Sequence, residues 1–351
     1  MDNPEHAHHE AVLRAMLKGR VTPLLGAGAN LAGRISDGAW EPGSPNLPST
    51  TELAAYLARS FNYPDVERES RSWEAEKDAG GRETARGGAE RQYDLSQISQ
   101  FVAVDAGEGP LYQELHDVFA ANSAPPTSLH EFFAHLATLL RTRSSPPRYQ
   151  LILTTNYDDA LERAFENAGE PFDVVWYVAN GRERGKFWHR PYNDDPTLIP
   201  DPDTYDNLRL SDDFRTARKG RTVILKLHGT VDRDIPERDS FVITEDHYIE
   251  YLTRTDVKSL IPVQLSTRII SSHLLFLGHS MRDWNLRVIL YRIWGEQQLS
   301  YRPWSIQREP SYLEKRIWER RGNVEIVDED LDEYITALKG RLPALTEEIL
   351  G

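Results

Sequence analysis

The sequence predicts an α/β fold: a mostly parallel sheet with helices on both faces, plus an inserted helical module. Three observations predict it. Short apolar runs of strand length recur at 21–25, 149–153, 173–177, 223–227 and 274–277. Stretches with apolar residues three and four apart lie between them, and strands alternating with helices imply a parallel sheet. Several runs end abruptly in glycine or small polar residues, where an open α/β sheet keeps its ligand crevice.

The elements follow in order. After a short helical lead-in, the run 21–25 stops at Gly26-Ala27-Gly28-Ala29-Asn30, the pattern of a buried strand turning sharply into a helix. From 51 to about 141 the pattern is helical, in TELAAYLARSF, QISQFVAV, LYQELHDVFA and TSLHEFFAHLATLL. Within it, 64–92 is charged, carries Gly80-Gly81 and Gly87-Gly88 and lacks sustained periodicity, so it reads as a mobile loop. A strand at 149–153, a helix at 157–167 and a strand at 173–177 come next. Segment 180–219 is rich in Asp, Pro, Arg and Gly, and reads as a candidate lid or partner-binding loop. Strands at 223–227 and 240–243, helices at 245–252 and 262–270, and a strand at 274–277 follow. Helices at 284–294, 312–320 and 330–339 flank a last strand at 323–327. Phe132, Phe133, Trp284 and Trp294 sit at core-type spacing and read as packing.

Composition narrows the function. Of 351 residues, 39% are hydrophobic and 27% charged, as expected of a soluble chain that buries a substantial core. No apolar run reaches membrane-spanning length, and the start MDNPEHAHHE has neither the basic nor the hydrophobic region of a secretory signal, so a cytoplasmic location is expected. Cysteine is absent, which excludes disulfides, thiol nucleophiles and cysteine-based zinc sites. With 41 basic and 55 acidic residues the formal charge is −14, a field that repels nucleic acid and anionic lipid. Neither direct nucleic-acid binding nor membrane association is expected.

Four motifs carry chemistry, each at the carboxyl end of a predicted strand. In the first, Gly26 and Gly28 permit a tight turn and let backbone N–H groups approach a pyrophosphate. Leu31 stands where the dinucleotide fingerprint requires its third glycine, and no Gly-Lys-Ser/Thr follows as a P-loop would need. A purely structural turn fits equally well. The second is Thr154-Thr155-Asn156-Tyr157-Asp158, whose Asn could hold a ribose hydroxyl, an amide or a water; alternatively Thr155 or Asn156 caps the next helix. In the third, Lys226-Leu227-His228-Gly229, a histidine could act as general base while glycine leaves room for a ligand beside it; isolated histidines are more often structural. The fourth, Gly278-His279-Ser280-Met281-Arg282-Asp283, starts like a serine-hydrolase elbow, but Arg282 stands where the second glycine must be. A small polar turn against a nucleotide, or a helix cap by Ser280 or Asp283, fits better. There is no HExxH, and the Asp-rich stretch 194–206 lacks the calcium-loop glycine and terminal Glu, so no metal site is expected.

Taken together and in this order, the four motifs resemble the sirtuin superfamily over residues 20–340. The resemblance implies a Rossmann-like NAD-binding domain formed by 1–50 and 146–351, with 51–145 as the inserted helical module. It implies that Gly26, Ala27, Gly28, Asn30, Thr155, Asn156, Asp158, His228, Gly278, Ser280 and Asp283 line an NAD site. Two departures select a branch. Deacylases of the family carry a four-cysteine zinc module, and this chain has no cysteine; their Pro-Asp-Phe-Arg stretch is also missing, the nearest segment being Asn46-Leu47-Pro48-Ser49-Thr50. The chain is therefore similar to the bacterial sirtuin-like proteins of anti-phage immunity, which hydrolyse NAD. The implied function is an NAD+ hydrolase that releases nicotinamide and ADP-ribose as an abortive-infection effector, with NAD as substrate and no zinc. Asn156 would orient water and ribose, His228 would polarise a ribose hydroxyl or assist water as base, and Asp158 would stabilise developing positive charge. The alternatives are an NAD-dependent protein deacylase or ADP-ribosyltransferase, and a non-enzymatic NAD-sensing module. Such a hydrolase must be restrained, so a homo-oligomer or a separately encoded regulatory partner, such as an ATPase or a nucleic-acid sensor, is expected.

Overall fold

A computed structural model describes residues 4–34, 40–64, 94–121, 124–212, 219–253, 261–280, 300–321 and 323–351. Nearly all of the expected loop 64–92, the expected helix 284–294 and Asp283 lie outside the described residues. After helix α1 (Pro4–Leu17), the run VTPLL forms β1 (Val21–Leu25), buried along its whole length. Helices α2 (Thr50–Ser60), α3 (Leu95–Asp105), α4 (Glu108–Ala120) and α5 (Ser128–Arg143) follow before β2 (Leu151–Thr154). Then come α6 (Ala160–Asn167), β3 (Phe172–Tyr177), β4 (Phe187–Arg190), β5 (Thr197–Leu198) and β6 (Thr222–Lys226). A small hairpin pairs β7 (Gly229–Thr230) with β8 (Ser240–Phe241). The chain continues through α7 (Glu245–Thr253), α8 (Val263–Ile270), β9 (His273–Leu277), β10 (Trp304–Gln307), α9 (Tyr312–Arg321), β11 (Glu325–Asp328) and α10 (Leu331–Leu350).

The main sheet has nine strands in the order β11-β10-β9-β1-β2-β6-β3-β4-β5. All neighbours from β11 to β3 run parallel, and β4 and β5 add antiparallel at one edge. Parallel strands buried on both faces read as continuous apolar runs, and here alternate side chains separate cleanly. Leu25, Ile152, Ile224 and Leu277 enter one core with Leu13 of α1, Phe132 and Phe133 of α5, Phe165 of α6 and Tyr334 of α10. Leu24, Leu153, Leu225 and Phe276 enter the opposite core with Tyr251 of α7, Ile269 of α8 and Trp318 of α9. Helices therefore cover both faces, as the sequence predicts.

A third apolar cluster joins Leu53 and Leu57 of α2, Val102 of α3 and Leu115 and Phe119 of α4 to Tyr157, Ala160, Val231, Phe241 and Ile243. These last residues follow β2 or belong to the hairpin after β6, so the three helices pack over that end of the sheet. Helix α2 starts at a capping box, Ser49 accepting from the Glu52 amide and Glu52 from the Ser49 amide, and Asp94 caps α3 through the Ser96 and Gln97 amides.

Several boundaries differ from the sequence pattern for local reasons. The turn after β1 is a single 3-10 turn at Ala27–Leu31. Helix α6 starts at Ala160 rather than 157, because the Asp158 carboxylate accepts the Ala160 amide first. The expected strand 240–243 contributes only β8, in the hairpin with β7 rather than in the main sheet. Segment 180–219 is not a free lid where described: Trp188 stacks on Trp176 across the β3–β4 pair, and Leu208 is fully buried in the core. Helix α10 passes through Pro343 to Leu350, well beyond the expected end at 339. Among the described residues, no helix is long and apolar enough to cross a membrane.

Candidate active site

Strands β9, β1, β2 and β6 are consecutive in the sheet, and each of the four motifs leaves the carboxyl end of one of them. The chain proceeds from β1 to β2 on one side and returns through β9 on the other, so the crevice opens where strand order reverses. The motifs converge on one cleft of about 550 Å³. Ala27, Gly28 and Asn30 line it from the first motif, Thr155, Asn156 and Asp158 from the second, His228 from the third, and Gly278 and Ser280 from the fourth. Gly26 is buried and does not line the cleft.

The first and fourth motifs are packed backbone on backbone. The Gly26 amide donates to the Leu277 carbonyl at 3.0 Å and the Gly28 amide to the Gly278 carbonyl at 2.9 Å, extending the β1–β9 ladder past the strands. A Cβ on Gly28 would stand 2.7 Å from the Gly278 Cα, and one on Gly278, at φ +71°, only 2.3 Å from the Ala29 nitrogen. Both glycines are thus demanded by close approach of the two turns. Because Gly26, Gly28 and Ala29 already donate their amides to carbonyls, Ala27 has the first amide of this turn left for an anion.

The second motif is tied to the first by side chains. Asn156 Nδ2 donates to the Gly26 carbonyl at 3.1 Å, and the Asn156 amide donates to Thr154 Oγ1 at 3.0 Å. Asp158 accepts from Asn30 Nδ2 on Oδ2 at 2.8 Å and from the Ala160 amide on Oδ1 at 3.0 Å. The N-cap weighed for Thr155 and Asn156 stands instead at Asp159, without a side-chain cap bond, and Asp158 accepts the first amide of the helix. From below, Thr127 at the start of α5 donates its hydroxyl to the Ala29 carbonyl at 3.0 Å.

His228 is 7% exposed, and its ring meets Tyr248 edge-on at 5.6 Å. Its Nε2 is buried without a hydrogen-bond partner, and burial pushes the imidazole pKa down to about 3, so the ring is neutral at pH 7. Gly229, expected to leave room for a ligand, serves the hairpin instead: at φ +90° a Cβ there would lie 2.0 Å from the Ser240 carbonyl oxygen.

Sequence reasoning missed His279. It lines the same cleft, its Nε2 is also buried and unpaired, and burial, with a smaller contribution from His228, lowers its pKa to about 3. Its place between Gly278 and Ser280 was the only signal. Also missed were Ser49 and Thr50 at the start of α2, Asp94 and Ser96 at the start of α3, Phe119 of α4, and Tyr248 of α7. No local pattern brings these residues to the cleft; the third apolar cluster carries α2, α3 and α4 there, and Tyr248 packs in the second. Among the described residues, no three His, Asp or Glu side chains gather as a metal would require.

A model of the SIR2-like domain matches residues 150–326, which hold the second, third and fourth motifs. The chain belongs to the SIR2-like domain family. NAD(+) hydrolase ThsA of Acinetobacter baumannii (strain 532279) is 28% identical over 206 residues, covering 58% of this chain and 32% of that protein. The chain thus spans about a third of the length of the curated relative it matches. The SIR2-like match begins just before β2, so β1, its glycine turn and the helices α2 to α5 lie ahead of the matched region and complete the cleft from outside it.

Proposed function

We propose that this SIR2-like protein is an NAD+ hydrolase that cleaves the nicotinamide–ribose bond to give nicotinamide and ADP-ribose. One observation carries the reading: Asn156, Asp158 and a neutral, unpaired His228 share a single cleft with the two interlocked glycine turns. The likeness to NAD(+) hydrolase ThsA supports it.

In the proposed reaction the bond from ribose C1′ to the nicotinamide nitrogen breaks and its electron pair leaves with neutral nicotinamide, creating an oxocarbenium-like ribose. Water then adds to C1′ and gives up a proton. Asn156 holds its Nδ2 on the Gly26 carbonyl, so its Oδ1 takes a hydrogen bond from the attacking water or a ribose hydroxyl. His228, neutral with Nε2 unpaired, accepts a hydrogen bond from water or a ribose hydroxyl and so polarises it, and the proton released passes to solvent. Asp158 has both oxygens engaged, so it contributes charge opposite the developing cation and fixes Asn30 rather than attacking. The Ala27 amide faces the pyrophosphate. Gly278 and Ser280 supply the turn against the nucleotide, Thr155 flanks it on the other side, and Asp283 is assigned to the same turn by its motif. Leu53, Phe119, Tyr157 and Ile243 supply apolar walls against which the substrate packs. By the same resemblance we read the protein as a cytoplasmic abortive-infection effector, restrained by self-assembly or by a separately encoded partner.

Purified protein incubated with NAD should release nicotinamide and ADP-ribose. Asn156→Ala and His228→Ala, with folding checked by circular dichroism, should each lose about 100-fold or more in kcat. Deacylation of an acylated peptide, or ADP-ribose transfer to an acceptor, in place of hydrolysis would overturn the reading. Light scattering that finds only monomer at micromolar concentration would overturn self-assembly as the restraint.

A further inference from the structure

We infer that Lys226 is a positioning residue for the site: its ammonium pins the backbone that carries Asn156 and Asp158 and links it to the strand leading into His228. The activity arm of this inference rests on the hydrolase reading above. Lys226 is the last residue of β6, is fully buried, and stands beside Thr154 in the parallel register with β2. Its neighbours Leu225 and Leu227 enter one core, so Lys226 points to the other face, toward the loop between β2 and α6. There Nζ donates to the Asp158 carbonyl at 2.5 Å, to Glu162 Oε1 at 2.7 Å and to the Tyr157 carbonyl at 3.3 Å.

An ammonium has three N–H donors, and these three acceptors use all of them. Two are main-chain carbonyls of the irregular stretch immediately after Asn156, and the third is a carboxylate on the first turn of α6. The lysine therefore fixes the loop from below while the Asn156 and Asn30 amides fix it from above. A buried ion pair is a poor source of stability compared with apolar packing. A methionine or leucine would fill the site at less desolvation cost, but neither could donate to carbonyls that the loop leaves facing the sheet. The geometry is what the charge provides: two strand ends, β2 and β6, are locked in one relative position, and with them Asn156 and His228.

The test uses Lys226→Met and the double variant Lys226→Met/Glu162→Gln. The single variant leaves Glu162 buried and uncompensated and should melt earlier than wild type. The double variant removes both charges and should regain most of that thermal stability. If Lys226 positions the loop, kcat for nicotinamide release stays about 100-fold low in the double variant while KM for NAD moves less than about threefold. Return of kcat to near the wild-type value in the double variant, or a loss carried by KM, would overturn the inference. A wild type inert toward NAD both as purified and when diluted until it is monomeric by light scattering would overturn the hydrolase reading alone. Hydrogen exchange at the amides of 155–160 would then decide: faster exchange in the double variant supports the pin, and unchanged exchange overturns it.

Discussion

The two sides of the cleft are built by opposite means. On the β1–β9 side the turns meet as bare backbone, with Gly28 against Gly278 and amides donated across the gap. On the β2–β6 side, side chains do the holding: Asn156 on the Gly26 carbonyl, Asn30 on Asp158, and Lys226 on Glu162 and two carbonyls. The first side fails when atoms are added and the second when atoms are removed. The contrast also explains why Gly28 and Gly278 meet across the cleft floor, whereas Asn156, Asp158 and Lys226 hold through amide, carboxylate and ammonium groups; Gly229 of the third motif serves the hairpin instead.

The largest expected effect comes from adding one methyl group on the backbone side. Gly278→Ala puts a Cβ 2.3 Å from the Ala29 nitrogen at φ +71°, and no flexible side chain can yield there. A loss of about 2–5 kcal/mol is expected, read as a shift of the urea midpoint, with nicotinamide release from NAD falling in parallel. A near-neutral result would mean that the two turns do not meet as described. Acidification should act next, and on both sides, through His228 after β6 and His279 after β9. The folded-state pKa values of His228 and His279 are pushed from 6.5 to about 3, so below pH 6.5 the unfolded chain takes up protons that the folded chain refuses. Stability should therefore fall as pH drops from about 6.5 toward 3. His228→Asn and His279→Asn should each flatten that slope in denaturation series at pH 7, 6 and 5; an unchanged slope in both would place the protons elsewhere. The smallest effect probes the brace beneath the β1 turn. Thr127→Val removes the hydroxyl that reaches the Ala29 carbonyl and should cost about 1 kcal/mol, with a change in KM for NAD smaller than that of any cleft residue.

Much of the sheet was legible because buried parallel strands announce themselves as apolar runs: VTPLL, LILT, TVILK and HLLFL all form strands. The motifs were legible as interruptions at their ends. What escaped was tertiary in origin. Trp188, which stacks on Trp176 of β3 and sets β4 between β3 and the edge strand β5, lies within a segment whose composition reads as loop. Helix α5 shares its periodicity with α2 to α4, yet Phe132 and Phe133 enter the core of the sheet while Leu53, Val102 and Leu115 form a cluster of their own. Periodicity gives the apolar face of a helix but not its partner. His279 and Lys226 were passed over for a related reason: a polar side chain beside a glycine or within an apolar run carries no sign of what it will face.

The Lys226–Glu162 pair also divides what dissolved salt can do. Counterions screen charges they can approach, over about 8 Å at physiological ionic strength, and reach little of a pair sealed from water. The alignment of Asn156 with His228 is thus set apart from the ionic medium. The surface is not: a chain of formal charge −14 repels an anionic dinucleotide until ions shorten the field. Ionic strength then governs how often the proposed substrate arrives, and leaves the arrangement that receives it nearly unchanged.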